Sequence, residues 1–125
     1  MPHLTEESSA VFEMHGTRFR SFASSASGAM ELAGWISEFA PQTPGVPHRM
    51  SREELLYVLD GTLEIEIDDD RFTAAVGDGV LVPVGARFGI SNRSALPARV
   101  WVTTSIGLTA QMEPSGDELR PAWAQ

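Results

Sequence analysis

The segment Thr62-Leu63-Glu64-Ile65-Glu66-Ile67 alternates polar and apolar residues without a break. On an extended chain this period of two places Leu63, Ile65 and Ile67 on one face and Thr62, Glu64 and Glu66 on the other, so that one face meets a core and the other water. A helix would scatter the same residues around its circumference. Asp68-Asp69-Asp70 supplies a turn, and Arg71-Phe72-Thr73-Ala74 returns as the second arm of a hairpin. The three carboxylates read as a solvated turn, because the twelve-residue spacing of a calcium hand is missing.

The rest of the chain is built in the same way. Gly and Pro recur at short intervals, and the apolar residues between them alternate or cluster in fours and fives, as short strands joined by turns do. Thr17 to Phe22 and Met30 to Phe39 read as strands separated by the small-residue loop Ala23 to Gly28. Gly77-Asp78-Gly79 is a turn, Val80-Leu81-Val82 a short buried strand, Pro83-Val84-Gly85 another corner, and Ala98 to Ile106 a last long strand. No helix longer than a turn or two is needed, and the fold class is all-β. The tail from Gln111 to Gln125 has no sustained period and is expected to wrap over the surface, with Trp123 as its anchor. A length of 125 residues, 42% of them hydrophobic, suits a single domain over the whole chain.

Composition removes several chemistries. There is no cysteine, hence no disulfide framework and no thiolate metal site. All nine basic residues are arginines, so an imine-forming lysine is absent. A net charge of -8 opposes binding to nucleic acid. No run approaches the length of a membrane span, and "MPHLTEESSA" lacks the pattern of a signal peptide, so a cytoplasmic protein with no membrane partner is expected.

The stretch "VPHRMSREELLYVLDG", Val46 to Gly61, carries His48, Met50, Glu54 and Gly61, and further on stand Gly77, Pro83, Gly85, Phe88 and Asn92. In these positions the chain resembles the cupins, a family of double-stranded β-helix or jelly-roll barrels. Its first motif is G-x5-H-x-H, three or four residues, then E-x6-G. Its second is G-x5-P-x-G-x2-H-x3-N. The turn residues and the asparagine match in register, while Gln42 stands at the first glycine, Met50 at the second histidine and Phe88 at the motif-two histidine. The resemblance implies a cupin barrel with core motifs over 42–92, an N-terminal arm over about 1–28 and a C-terminal tail over about 111–125.

In the family, the three histidines and the glutamate bind a divalent iron, manganese, nickel, zinc or copper ion. Here only His48 and Glu54 remain as metal ligands, and a site with open positions for substrate needs three protein ligands. The leading expectation is a small-molecule-binding barrel without a cofactor, an isomerase, cyclase or lyase in which His48 and Glu54 are the acid/base pair and Glu54 acts as proton donor or holds the imidazole tautomer. Met50, Phe88, Leu56, Ile90, Trp35 and Trp101 are its candidate pocket walls. Alternatives are a metal-dependent cupin oxygenase or isomerase with a reduced ligand set, a non-catalytic ligand-sensing or accessory module, and a barrel in which His48 and Glu54 merely pair. In "ELLYVLD", Leu56 and Val58 share the face of Glu54, while Leu55, Tyr57 and Leu59 make the other face equally apolar. A strand apolar on both faces needs cover on both, which points to a homodimer.

Overall fold

The computed structural model describes residues 2–125 and consists of two six-stranded antiparallel sheets. The first runs in the order β1 (Ala10–Met14), β2 (Thr17–Ala23), β3 (Leu32–Phe39), β10 (Ala98–Ser105), β5 (Glu54–Asp60), β8 (Gly79–Val82). The second runs β12 (Glu118–Leu119), β11 (Ala110–Met112), β4 (His48–Met50), β9 (Arg87–Ser91), β6 (Thr62–Ile67), β7 (Asp70–Ala75). The described helical content is two 3-10 turns, Ser25–Ser27 and Ala122–Ala124. No described helix is long and apolar enough to cross a membrane. The molecule is an all-β jelly roll, as the alternation demands.

The inner faces of the two sheets share one core, in which Leu63 and Ile65 of β6 meet Val58 of β5, Val82 of β8 and Val100 of β10. Burying each of these side chains contributes roughly 1.5–3 kcal/mol. The polar half of the β6 pattern faces outward and is also used. Glu64 accepts a hydrogen bond of 2.6 Å from the Thr73 hydroxyl on β7, and Glu66 pairs with Arg71 and Arg87.

Two loops fix how the sheets close. Gly61, between β5 and β6, has φ of +76°, and a Cβ there would lie 2.6 Å from the carbonyl oxygen of Pro97, so only glycine fits. Gln42 occupies the motif's first glycine position and keeps its left-handed backbone, with φ of +60°. A non-glycine residue pays about 1–2 kcal/mol for that conformation. The Gln42 side chain offsets it by donating to the carbonyls of Arg93 and Ser94 at 3.2 and 3.1 Å. Asn92, fully buried, ties the same loops together by donating to the carbonyls of Phe39, Ala40 and Leu96 and accepting from Ser94.

The ends of the chain depart from the sequence expectation. The N-terminal segment contributes the hairpin β1–β2, turned by His15 and Gly16, both at positive φ. The tail does not simply lie over the surface: β11 pairs with β4, and β12 pairs with β11, so the tail extends the second sheet. Strands of two and three residues are too short to show a period. Trp123 does anchor the tail, stacking on Phe19 of β2 at 3.8 Å between ring centroids and 8° between planes.

Candidate functional site

Strand β4 lies between β9 and β11, and its register decides what surrounds His48. Phe88 of β9 and Met112 of β11 are its direct cross-strand partners, and directly opposed residues point to the same side of a sheet. Met50 follows two positions along on the same side. From the facing sheet come Glu54 and Leu56 of β5, Trp35 and Ser37 of β3, and Val100 and Val102 of β10. All of these residues line one cavity of about 130 Å³ at the centre of the barrel. Ile90 of β9 also lines it, as do Phe19, Phe39 and Trp123. The wall is therefore largely apolar, with aromatic rings from both sheets and from the tail. His15, exposed on the β1–β2 turn, stands at the rim.

Three ionisable side chains border this space: His15, His48 and Glu54. Glu54 is almost wholly buried, and no described group donates a hydrogen bond to its carboxyl. Burial alone pushes its pKa up to about 8, so near neutral pH it is predominantly a carboxylic acid able to donate a proton. Burial also holds His48 below its ordinary value, against a smaller opposing effect of its hydrogen bond to the carbonyl of Val46. That bond, 2.8 Å from Nδ1, decides the tautomer. A carbonyl oxygen can only accept, so Nδ1 carries the proton, and Nε2 of the neutral ring is left as an acceptor. The backbone of Val46 thus does what a carboxylate partner was expected to do. Among the described residues, no hydrogen bond or ion pair joins His48 to Glu54, so the two do not simply neutralise each other inside the barrel.

A third polar group carries no motif that would mark it in the sequence. Ser37 faces inward from β3, is buried, and accepts a hydrogen bond of 3.1 Å from the indole nitrogen of Trp35. Its own hydroxyl proton has no acceptor among the described residues, which leaves it free for the cavity. The alternation Ala33, Trp35, Ser37, Phe39 was the available signal, since all four share the buried face of β3. Trp35, on the same face of β3, lines the cavity.

Trp101 does not. On β10 it alternates with Val100 and Val102, which take the inner positions, and its cross-strand neighbours are Ile36 and Tyr57 on the outer face. Its indole lies over Gly34, where a Cβ would approach to 2.7 Å. A glycine on the neighbouring strand makes room for the ring outside the barrel rather than within it.

The motif positions imply a cradle for a divalent ion, and the side chains in them decide whether one can be held. His48 and Glu54 offer a nitrogen and an oxygen, but Met50 brings a thioether, which suits soft ions, and Phe88 brings no donor. The Phe88 ring instead meets the imidazole edge-on, 5.5 Å between centroids and 77° between planes. Among the described residues no group of three or more His, Cys, Asp or Glu side chains is arranged to hold an ion. Of the four motif positions, two, His48 and Glu54, present donors suited to a divalent transition metal.

A family model of the cupin domain matches residues 35–105, more than half of the chain. The chain belongs to the cupin family. No curated protein matches it. This cupin is similar in structure to an RmlC-like cupin from Shewanella frigidimarina, at 18% identity with a TM-score of 0.71, over 84% of this chain and 91% of that one. It is similar as well to the polyketide cyclase RemF of Streptomyces resistomycificus, at 20% identity with a TM-score of 0.74, over 84% and 79% of the two chains. A sugar phosphate isomerase of the cupin superfamily from Silicibacter pomeroyi aligns over 95% of this cupin and 92% of its own length, at 19% identity with a TM-score of 0.73. At these identities the likeness establishes the fold, and the site must be read from its own side chains.

Proposed function

We propose that this cupin binds a small organic molecule in the barrel and moves protons on it, with His48 as base and Glu54 as acid, and that the reaction needs no metal. One observation carries the reading. A carboxyl held in its acid form, with no hydrogen-bond partner among the described residues, borders the same cavity as an imidazole whose Nε2 is held as an acceptor. Two titratable groups whose surroundings push their pKa values apart, so that the carboxyl keeps its proton and the imidazole does not, are poised for acid and base roles at one pH.

The proton balance is simple. His48 Nε2 takes a proton from a carbon next to a carbonyl, and Glu54 gives its proton to the carbonyl oxygen, which yields the enol. Return of a proton to a different carbon completes an isomerisation. Where Glu54 protonates a departing hydroxyl, the outcome is loss of water. In the isomerisation the proton returned to carbon comes from His48 and a hydroxyl proton of the enol goes back to Glu54, so both groups are restored; in loss of water His48 ends protonated and Glu54 ionised, and proton exchange with water restores both. The activities named for two similar structures, a cyclase and an isomerase, are in keeping with this class of chemistry.

The test uses a neutral cyclic ketone, cyclohexanone, in deuterated water. Wild-type protein treated with a chelator is expected to accelerate deuterium entry at the carbons beside the carbonyl, and His48→Ala or Glu54→Gln to lose about 100-fold or more of that acceleration. Exchange that disappears with the chelator and returns with one divalent ion contradicts the reading.

We also propose that the protein is a homodimer through the outer face of the first sheet. Leu55 and Leu81 are cross-strand partners there, 47% and 56% exposed, and Tyr57 beside Trp101 continues the patch. Light scattering of the purified protein checks it, with twice the chain mass expected.

A further inference from the structure

We propose that Ser37 is a ligand-binding residue, whose hydroxyl holds an acceptor oxygen of the bound molecule in a second polar subsite, at the far end of the cavity from Glu54. The ligand this fits carries two oxygen functions with an apolar middle between them, as a diketone does. The inference goes beyond the acid and base roles of Glu54 and His48 and makes no use of their protonation.

The hydroxyl itself is the first observation. Ser37 is 4% exposed and lines the cavity, and its oxygen accepts from the buried Trp35 indole at 3.1 Å. Its proton has no acceptor among the described residues. A buried hydrogen-bonding group left unused carries a cost, so this donor calls for a partner that the chain does not supply. The indole N–H also improves it as a donor, because hydrogen bonds joined in a chain polarise one another.

Strand register places this donor well away from Glu54. On β10, Thr104 stands opposite Glu54 of β5 on one side and Ala33 of β3 on the other, whereas Val100 stands opposite Val58 and Ser37. The two rows are four residues apart, or roughly 13 Å along the strands. Between them lies the row of Leu56, Val102 and Trp35, which is the apolar middle. Beyond Ser37, Phe39 is paired with Thr17 of β2. Thr17 is buried, lines the same cavity, and uses its hydroxyl in no hydrogen bond among the described residues. It follows the rim residue His15 by two positions, so the end of the cavity near the rim carries two hydroxyls. A molecule with one oxygen toward Glu54 therefore presents its other end to Ser37.

Proton–nitrogen-15 NMR of the three tryptophan indoles tests this, with the Trp35 resonance assigned by Trp35→Phe. The probes are cyclohexane-1,4-dione, whose symmetry lets either carbonyl meet Ser37, and 1,4-dimethylenecyclohexane, which has the same shape and no oxygen. On wild-type protein the dione is expected to move the Trp35 indole proton downfield, since a Ser37 hydroxyl that donates accepts more strongly, and the diene is not. Removal of the hydroxyl is tested in a Trp35→Phe background, so that no freed indole N–H takes its place. There Ser37→Ala should weaken the dione at least about fivefold and change the diene by less than about twofold. The wild-type resonance decides the case alone if the double variant does not fold. The proposal is overturned if the dione does not bind up to its solubility limit, if it leaves the indole resonance where the diene leaves it, or if Ser37→Ala weakens both probes equally. Neither measurement reads proton exchange, so absence of His48-dependent deuterium entry would remove the reaction and leave this subsite standing.

Discussion

Replacing Glu54 by Gln should stabilise the protein, and by an amount that grows with pH. In the unfolded chain the carboxyl titrates at its ordinary value of 4.5, whereas in the barrel burial raises it to about 8. Between those values the folded protein holds a proton that the unfolded chain has released, so folding takes up a proton and becomes less favourable as pH rises. Below the unfolded value the penalty is absent, and above about pH 8 it is complete. A tenfold change in acidity corresponds to about 1.4 kcal/mol, so the full penalty is roughly 5 kcal/mol, and about 3 kcal/mol is present at neutral pH. Gln has the same shape and does not titrate. Urea unfolding of both proteins across about pH 5 to pH 9 isolates the effect, because the general repulsion arising from a net charge of -8 is nearly common to the two and cancels in the difference. The stability of Glu54→Gln minus that of wild type should rise by about 3–5 kcal/mol across this range, or on the order of 10 °C in Tm for a domain of this size. A difference that stays flat with pH, or that falls, refutes the claim that Glu54 is buried in its acid form.

Other consequences can be checked separately. The pH profile of catalysed deuterium exchange should be a bell: its alkaline limb lies near pH 8, where Glu54 loses its proton, and its acid limb falls below the ordinary histidine value, because burial lowers His48. The double change Met50→His with Phe88→His, which supplies imidazoles beside His48 and Glu54, should give a protein that binds about one equivalent of nickel or zinc by equilibrium dialysis, where wild type retains far less. Gly34→Ala should cost about 1–3 kcal/mol in urea unfolding, since the new methyl would stand 2.7 Å from the Trp101 indole and the ring must shift. Trp123→Ala should destabilise the protein by about 3–5 kcal/mol in urea unfolding, through loss of the stack on Phe19 and of a cavity wall.

The sequence made the barrel legible because its signals are local. Alternation in Thr62 to Ile67 and the turn glycines at Gly61, Gly77 and Gly85 each act within a few residues. The inward set His48, Met50, Glu54 and Leu56 followed from strand phase, given the two motifs that fixed where each strand begins. Where phase had no such anchor the reading failed, as with Trp101, whose outward position depends on Gly34, distant in sequence and adjacent in the sheet. Other features depend on pairing that no single segment encodes. Ser37 looks like any small polar residue until its hydroxyl is seen to accept from Trp35 and face the cavity. The Val46 carbonyl that sets the His48 tautomer is backbone, and backbone leaves no trace in residue identity. The tail strands β11 and β12 are too short to carry a period, and only the register of β11 against β4 shows that Met112 stands beside His48.

The central claim, that the barrel holds a neutral carboxylic acid opposite a neutral imidazole acceptor, comes down to one titration. Carbon-13 NMR of the Glu54 side-chain carboxyl, assigned by comparison with Glu54→Gln, should show a midpoint near pH 8. A midpoint near the ordinary value of 4.5 would mean that Glu54 is ionised at neutral pH, and the acid role proposed for it would fall.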